Sequence, residues 1–229
     1  MEILYGSQNF GYSNSKSDRD WVRLEYPTWD DILNNKIISK TLHTKEGQIK
    51  VWDMRSLYKR LTSGFIADLQ ILYSKQYVLC GDLNWFISNR DKIVRCNMLK
   101  SLVSVEGNIR YYLNTDKRQV TPKDVVRSEA FYRCLVRLLE DKTFELEDPT
   151  LLEYRNWLES QDKNTVISEA NRVKHDVLYL RPKYIAFDEK GDIKVQEQIK
   201  LKVLELVKNN LSNISITMTK PNEVRYFSD

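Results

Sequence analysis

Three features of the sequence predict an α+β fold. Up to about residue 80, short stretches of strand character alternate with short helical ones. From about Gly81 the apolar residues fall instead at helical spacing. With 7 glycines and 5 prolines in 229 residues, there is little material for long linkers. The expected division is a mixed strand-and-helix domain over 1–80 and a mainly helical domain over 81–229.

Met1 to Tyr5 is short and apolar and predicts a buried strand running into Gly6-Ser7, after which Gln8 to Tyr12 starts a helix. Ser13 to Ser17 is a polar loop containing Lys16. Asp18 to Tyr26 reads as a strand with Asp18, Asp20, Val22 and Leu24 on one face and Arg19, Trp21 and Arg23 on the other. Pro27-Thr28 opens a helix, with Thr28 as its cap and Asp30 and Asp31 in the first turn, where they favour the dipole. Asn34 to Gly47 is loop with a weak extended piece. Gln48 to Met54 is a second strand, carrying Ile49, Val51 and Asp53 on one face, and a helix follows from Ser56 to Thr62, ended by Gly64. Phe65 to Tyr73 alternates as another strand.

In the second half, Asn84 to Leu113 is helical, and Pro122 opens an amphipathic helix over Lys123 to Glu140. Its expected buried side is Val126, Ala130, Phe131, Cys134, Leu135 and Leu138, which leaves Lys123, Arg127, Arg133 and Arg137 for the other. Helices are expected over Leu151 to Trp157, Val166 to Leu180 and Val195 to about Leu211. From Ser212, the alternation of Ile214, Ile216 and Met218 suggests a last edge strand.

Composition narrows the function classes. A net charge of +4 permits an anionic substrate without requiring one. The cysteines, Cys80, Cys96 and Cys134, have no Cys-x-x-Cys spacing, which argues against a disulfide scaffold or structural zinc and for reduced thiols. There is no signal-like leader and no apolar run of the ~20 residues that a membrane helix needs, so a soluble cytoplasmic protein without a membrane partner is expected. No Walker loop, Ser-His-Asp or Cys-His arrangement occurs.

The chemistry concentrates in Tyr5 to Trp21. Gly6 permits a tight turn, and Ser7 with the adjacent amides can accept phosphate oxygens. Asp18 and Asp20, one residue apart, bring two carboxylates close enough to call for a divalent cation. Together these suit phosphoryl or nucleotidyl transfer from a nucleoside triphosphate.

On these residues the sequence resembles the nucleotidyltransferase superfamily of DNA polymerase β, whose signature is a hydrophobic strand, Gly-Ser, a gap of about this size and Asp-x-Asp. Within it, the sequence is most similar to the predicted nucleotidyltransferases associated with RNA ligases and found in phages. The likeness continues through Pro27 to Asp31, Ile49 to Arg55 and Leu69 to Tyr73. It implies a small mixed-sheet nucleotidyltransferase core with helices on one face, and Asp53 as a third carboxylate completing a site for two Mg²⁺ (or Mn²⁺) ions with Asp18 and Asp20. It also implies a triphosphate held by Gly6, Ser7, Lys16 and, on the basic helix, Arg137. The acceptor it implies is a hydroxyl of RNA, at a tRNA end or a repair substrate. A protein hydroxyl fits the residues equally, and an inactive binding or regulatory module in phage–host conflict is a third reading. The sequence departs from the family in Arg19 between the two acids and in Gln70 where a glutamate is usual, which leaves open whether Asp68 or Gln70 contributes.

Overall fold

A computed structural model of the chain describes residues 1–78, 81–140, 144 and 146–218, with side chains described as far as residue 213. The fold is α+β. A five-stranded mixed sheet has the order β3-β4-β2-β1-β5, with β1 Glu2–Tyr5, β2 Asp20–Glu25, β3 Ser39–His43, β4 Gln48–Asp53 and β5 Tyr77–Val78. β2 and β4 are parallel; every other pairing is antiparallel.

Register decides what faces what. Tyr5 pairs with Asp20 and Ile3 with Val22 across β1 and β2, while Trp21 pairs with Ile49 and Glu25 with Asp53 across β2 and β4. One face therefore carries Ile3, Tyr5, Asp20, Val22, Leu24, Gln48, Lys50 and Trp52. Its apolar members are buried in the core. The other face carries Leu4, Trp21, Arg23, Val51 and Asp53, with an ion pair between Arg23 and Glu2 at 2.6 Å.

Short helices connect the strands: α1 Ser7–Phe10, α2 Trp29–Leu33, α3 Leu57–Thr62 and α4 Ile66–Leu69. Thr28 caps α2 in a reciprocal capping box with Asp31, which confirms the helix start and identifies Asp31 as part of it. The expected strand over Phe65 to Tyr73 is instead α4 followed by a 3₁₀ turn, Gln70–Tyr73. Ile66 to Leu72 are all buried, Asp68 and Gln70 included, so the two polar residues imitate strand alternation instead of marking the exposed face of a helix.

The helical half comprises α5 Asn84–Ser88, α6 Arg90–Arg95, α7 Met98–Tyr112, α8 Pro122–Leu139, α9 Thr150–Glu159, α10 Lys163–Tyr184 and α11 Ile193–Met218. α8 packs against α7, α9 and α10, and its six expected core residues are all buried. α11 returns to pack on α3 and on the Met54–Ser56 turn. It runs to Met218 where the sequence suggested a strand; the alternating residues prolong a helix already under way. One cluster of buried residues extends from Ile3 to Leu211, so segments 1–80 and 81–229 share a core. Cys96 and Cys134 are buried free thiols; Cys80 lies outside the described residues. Among the described residues, no helix is long and apolar enough to cross a membrane.

Candidate functional site

At the ends of β1 and β2, where the sheet meets α7 and α8, lies a cavity of about 350 Å³. Gly6, Ser7, Asp18 and Asp20 all line it, as do Gln48 and Lys50 from β4, Tyr112 from α7, and Lys123 and Arg127 from α8.

The turn is built around a missing side chain. Gly6 has φ 82°, a conformation that favours glycine, and a Cβ there would sit 3.2 Å from Asp20 Oδ2. The turn's backbone can thus lie directly against the carboxylate. The Gly6 amide is already used: it donates to Gln70 Oε1 at 2.7 Å, an oxygen that also accepts from Asn9 Nδ2. Gln70 is thus a scaffold for the turn, and Gly6 contributes space where a phosphate-binding amide was expected. The Ser7 hydroxyl makes no hydrogen bond among the described residues and borders the cavity.

Asp20 begins β2 and accepts a hydrogen bond from the Gln48 amide at 3.3 Å. Asp18 precedes the strand on an exposed stretch. Neither has an ion-pair partner among the described residues. Arg19, between them, turns away to Gln76 and to the Trp21 ring, 5.3 Å from its centroid. The loop before them is fastened from α9: the buried Arg155 donates from Nη1 to the Tyr12 carbonyl and to Ser17 Oγ, both at 3.0 Å.

Asp53 is not part of this site. Asp20 falls beside Gln48, and Asp53 is five residues further along β4, about 16 Å at ~3.3 Å per residue. The odd spacing also places it on the opposite face. There it is fully buried and saturated, accepting from the Ile38 amide at 3.1 Å, from the Arg55 amide at 2.8 Å and from two guanidinium nitrogens of Arg55. These bonds hold its carboxyl below its usual pKa despite the burial. The strand was read correctly, but the register was not legible: the β3–β4 turn abuts Arg19, whose amide donates to Glu46 O at 2.8 Å, and this sets Gln48 beside Asp20.

Two other expected residues also lie elsewhere. Arg137 pairs with Asp148 at 3.1 Å alongside Arg133, ten residues or about 15 Å along α8 from Arg127. Lys16 is exposed and does not line the cavity. The basic groups that do line it are Lys50, Lys123 and Arg127, and none has an ion-pair partner among the described residues. The four-residue spacing of Lys123 and Arg127 at the start of α8 was the available signal, since they project on one side of the helix. Arg127 lies over the Tyr112 ring at 4.6 Å. Lys50 lies over the Tyr5 ring at 4.4 Å. Burial lowers the Lys50 pKa, an effect that Asp20 and Asp68 oppose.

Asp68 is buried but does not line this cavity; Arg60 holds it at 3.2 Å while stacking on Trp52 at 3.9 Å. Its pKa is raised by burial, against the pull of Arg60. Among the described residues, no cluster of three or more His, Cys, Asp or Glu side chains is placed to hold a metal ion. Compared with family models, curated proteins and solved structures, the chain has no significant match.

The cavity therefore brings two open carboxylates and three cations without ion-pair partners among the described residues into one half-enclosed space. That combination suits an anionic ligand accompanied by a hard cation.

Proposed function

We propose that the cavity binds a nucleoside triphosphate and that the protein transfers its nucleoside monophosphate to a hydroxyl acceptor. The observation that carries this reading is the meeting of Gly6, Ser7, Asp18 and Asp20 in one cavity with Lys50, Lys123 and Arg127. Asp18 and Asp20 would hold Mg²⁺ or Mn²⁺. When bound, that ion would polarise the phosphoryl oxygens and offset the charge of the departing pyrophosphate. Lys123 and Arg127 attract the phosphate tail, and the Tyr112 ring beneath the Arg127 guanidinium helps to hold it in place. Gly6 lets the backbone approach without displacing Asp20. Positioning and electrostatics carry the reaction, with no covalent intermediate.

RNA is the favoured acceptor, either a tRNA end or a broken strand. A groove of about 630 Å³ shares Phe65 with the cavity; Arg55 and Arg60 on its wall are paired with Asp53 and Asp68, so Lys59 is the cation it offers to a phosphate backbone. A protein hydroxyl is the competing acceptor. A second reading, a nucleotide-binding or regulatory module without transfer, is favoured by one observation: the third carboxylate of the superfamily is absent from the cavity, and a lysine lines it instead.

The deciding experiment incubates the protein with each α-labelled NTP and Mg²⁺, together with total RNA or total protein. Labelled RNA supports the first reading and labelled protein moves the acceptor. NTP binding without any label transfer selects the regulatory module, and absence of NTP binding overturns the proposal.

A further inference from the structure

Around Asp20 the sheet offers few positions from which another ligand could reach the cavity. On the pocket face, β1 supplies Tyr5, and β4 supplies Gln48 and then Lys50, which lies beside Val22. None is an acid. Gln70 borders the cavity too, but its Oε1 accepts from Gly6 and Asn9 and its Nε2 donates to Ala67 O at 2.8 Å, so both ends of its amide are committed. Asp68 is turned to Arg60, and Asp53 is at the other end of β4.

What β4 delivers here is an ammonium group. Lys50 is half-buried, seated on the Tyr5 ring and flanked by the charges of Asp20, Asp68, Arg60 and Arg127. A divalent ion on the same side of Asp20 would have to share that space with a cation of like sign.

With Asp18 and Asp20 as the ligands, as proposed above, we infer that the site takes a single divalent cation and that the Lys50 ammonium stands where a second ion would be. The residues present do not fit a two-ion centre. In this arrangement the second positive charge is covalently attached to the chain and needs no metal to supply it. Lys50 is then a positioning charge for the phosphate oxygens, matched in role to Lys123 and Arg127 across the cavity.

The test counts bound ions. The full-length protein is dialysed to equilibrium against Mn²⁺ with α,β-methylene-ATP, and Mn²⁺ above the nucleotide-only control is measured per chain, with electron paramagnetic resonance to detect coupling between neighbouring ions. One ion per chain without Mn–Mn coupling is expected. Lys50→Asp, which adds an acid on the pocket face, is expected to raise the count to two and produce coupling. Lys50→Gln should keep the count at one while weakening analogue binding about 10-fold. Two coupled ions in the unaltered protein would overturn this inference alone. No bound ion would overturn the assignment of Asp18 and Asp20 as ligands, and this inference with it. A Lys50→Asp variant that folds, by its thermal transition, yet still holds one ion would show that Lys50 is not what excludes the second.

Discussion

At the Asp53 end of β4, a fully buried carboxylate is closed off by two backbone amides and the guanidinium of Arg55. At the Gln48 end, Asp20 takes one backbone amide and otherwise faces the cavity, with Asp18 beside it on an exposed stretch. Both ends present aspartates near a chain turn, and in the sequence the three look alike. The difference lies in the donors: a carboxylate whose lone pairs are all taken by the protein is a structural fastening, whereas one left open can bind something else. Asp53 holds the end of β4 to the Met54–Ser56 turn, on which α11 packs.

Exchanging the roles of the two ends is the most direct way to break this contrast. Asp53→Ala strands Arg55 beside a buried gap and should lower stability by about 3–5 kcal/mol in urea denaturation. A folded remainder should bind Mn²⁺ as before. Asp20→Asn should do the converse, abolishing Mn²⁺ binding with little change in the urea midpoint. Loss of Mn²⁺ binding in a folded Asp53 variant would mean that the two ends communicate.

The next effect is at the turn. Gly6→Ala places a methyl against Asp20 Oδ2 at a positive φ, which should cost about 1–3 kcal/mol and weaken Mn²⁺ binding at the same time. Arg127→Ala should weaken ATP binding by about 10- to 30-fold, as expected for loss of a charged contact. Lys123→Ala, which removes an ammonium with no ring contact among the described residues, should weaken it by about 3- to 5-fold. Isothermal titration reads both.

Acidification separates Asp53 from another buried aspartate, Asp68, by sign. Asp53 is held below its ordinary value of 3.8, so its contribution to stability is present above that pH and is lost as pH falls through the lower value of the folded state. Asp53→Asn should flatten that acid limb. Asp68 is raised instead, so the folded state takes up its proton first and this group's share of stability rises as pH falls toward 3.8. In Asp68→Asn the rise should vanish. Urea midpoints between pH 3 and 7 check both.

Much of the architecture was legible. Thr28 caps α2 as its position suggests, and Pro122 stands in the first turn of α8; the reciprocal partners Asp31 and Asp124 complete boxes that the structure adds. Gly6-Ser7 and Asp18-x-Asp20 meet in one cavity because they lie on adjacent ends of paired strands, a local relation that sequence spacing encodes. Asp53 was misplaced because its relation to Asp20 crosses strands. Alternation identifies a strand's two faces but not which residue stands opposite a given neighbour. Arg137 was misplaced because four-residue spacing aligns residues on a helix without saying which end meets the site. Lys50 was hidden for the same reason as Asp53: one register choice exchanges them.

Arg155 ties the loop before Asp18 to α9 through a bond to Tyr12 that spans 143 positions of sequence. Shortening the chain to its first 80 residues would therefore remove the clamp on the loop before Asp18, along with Lys123 and Arg127 of α8. The smallest fragment that keeps this cavity whole has to reach at least past α9, and a library of C-terminal deletions should lose nucleotide binding well before the sheet itself is cut.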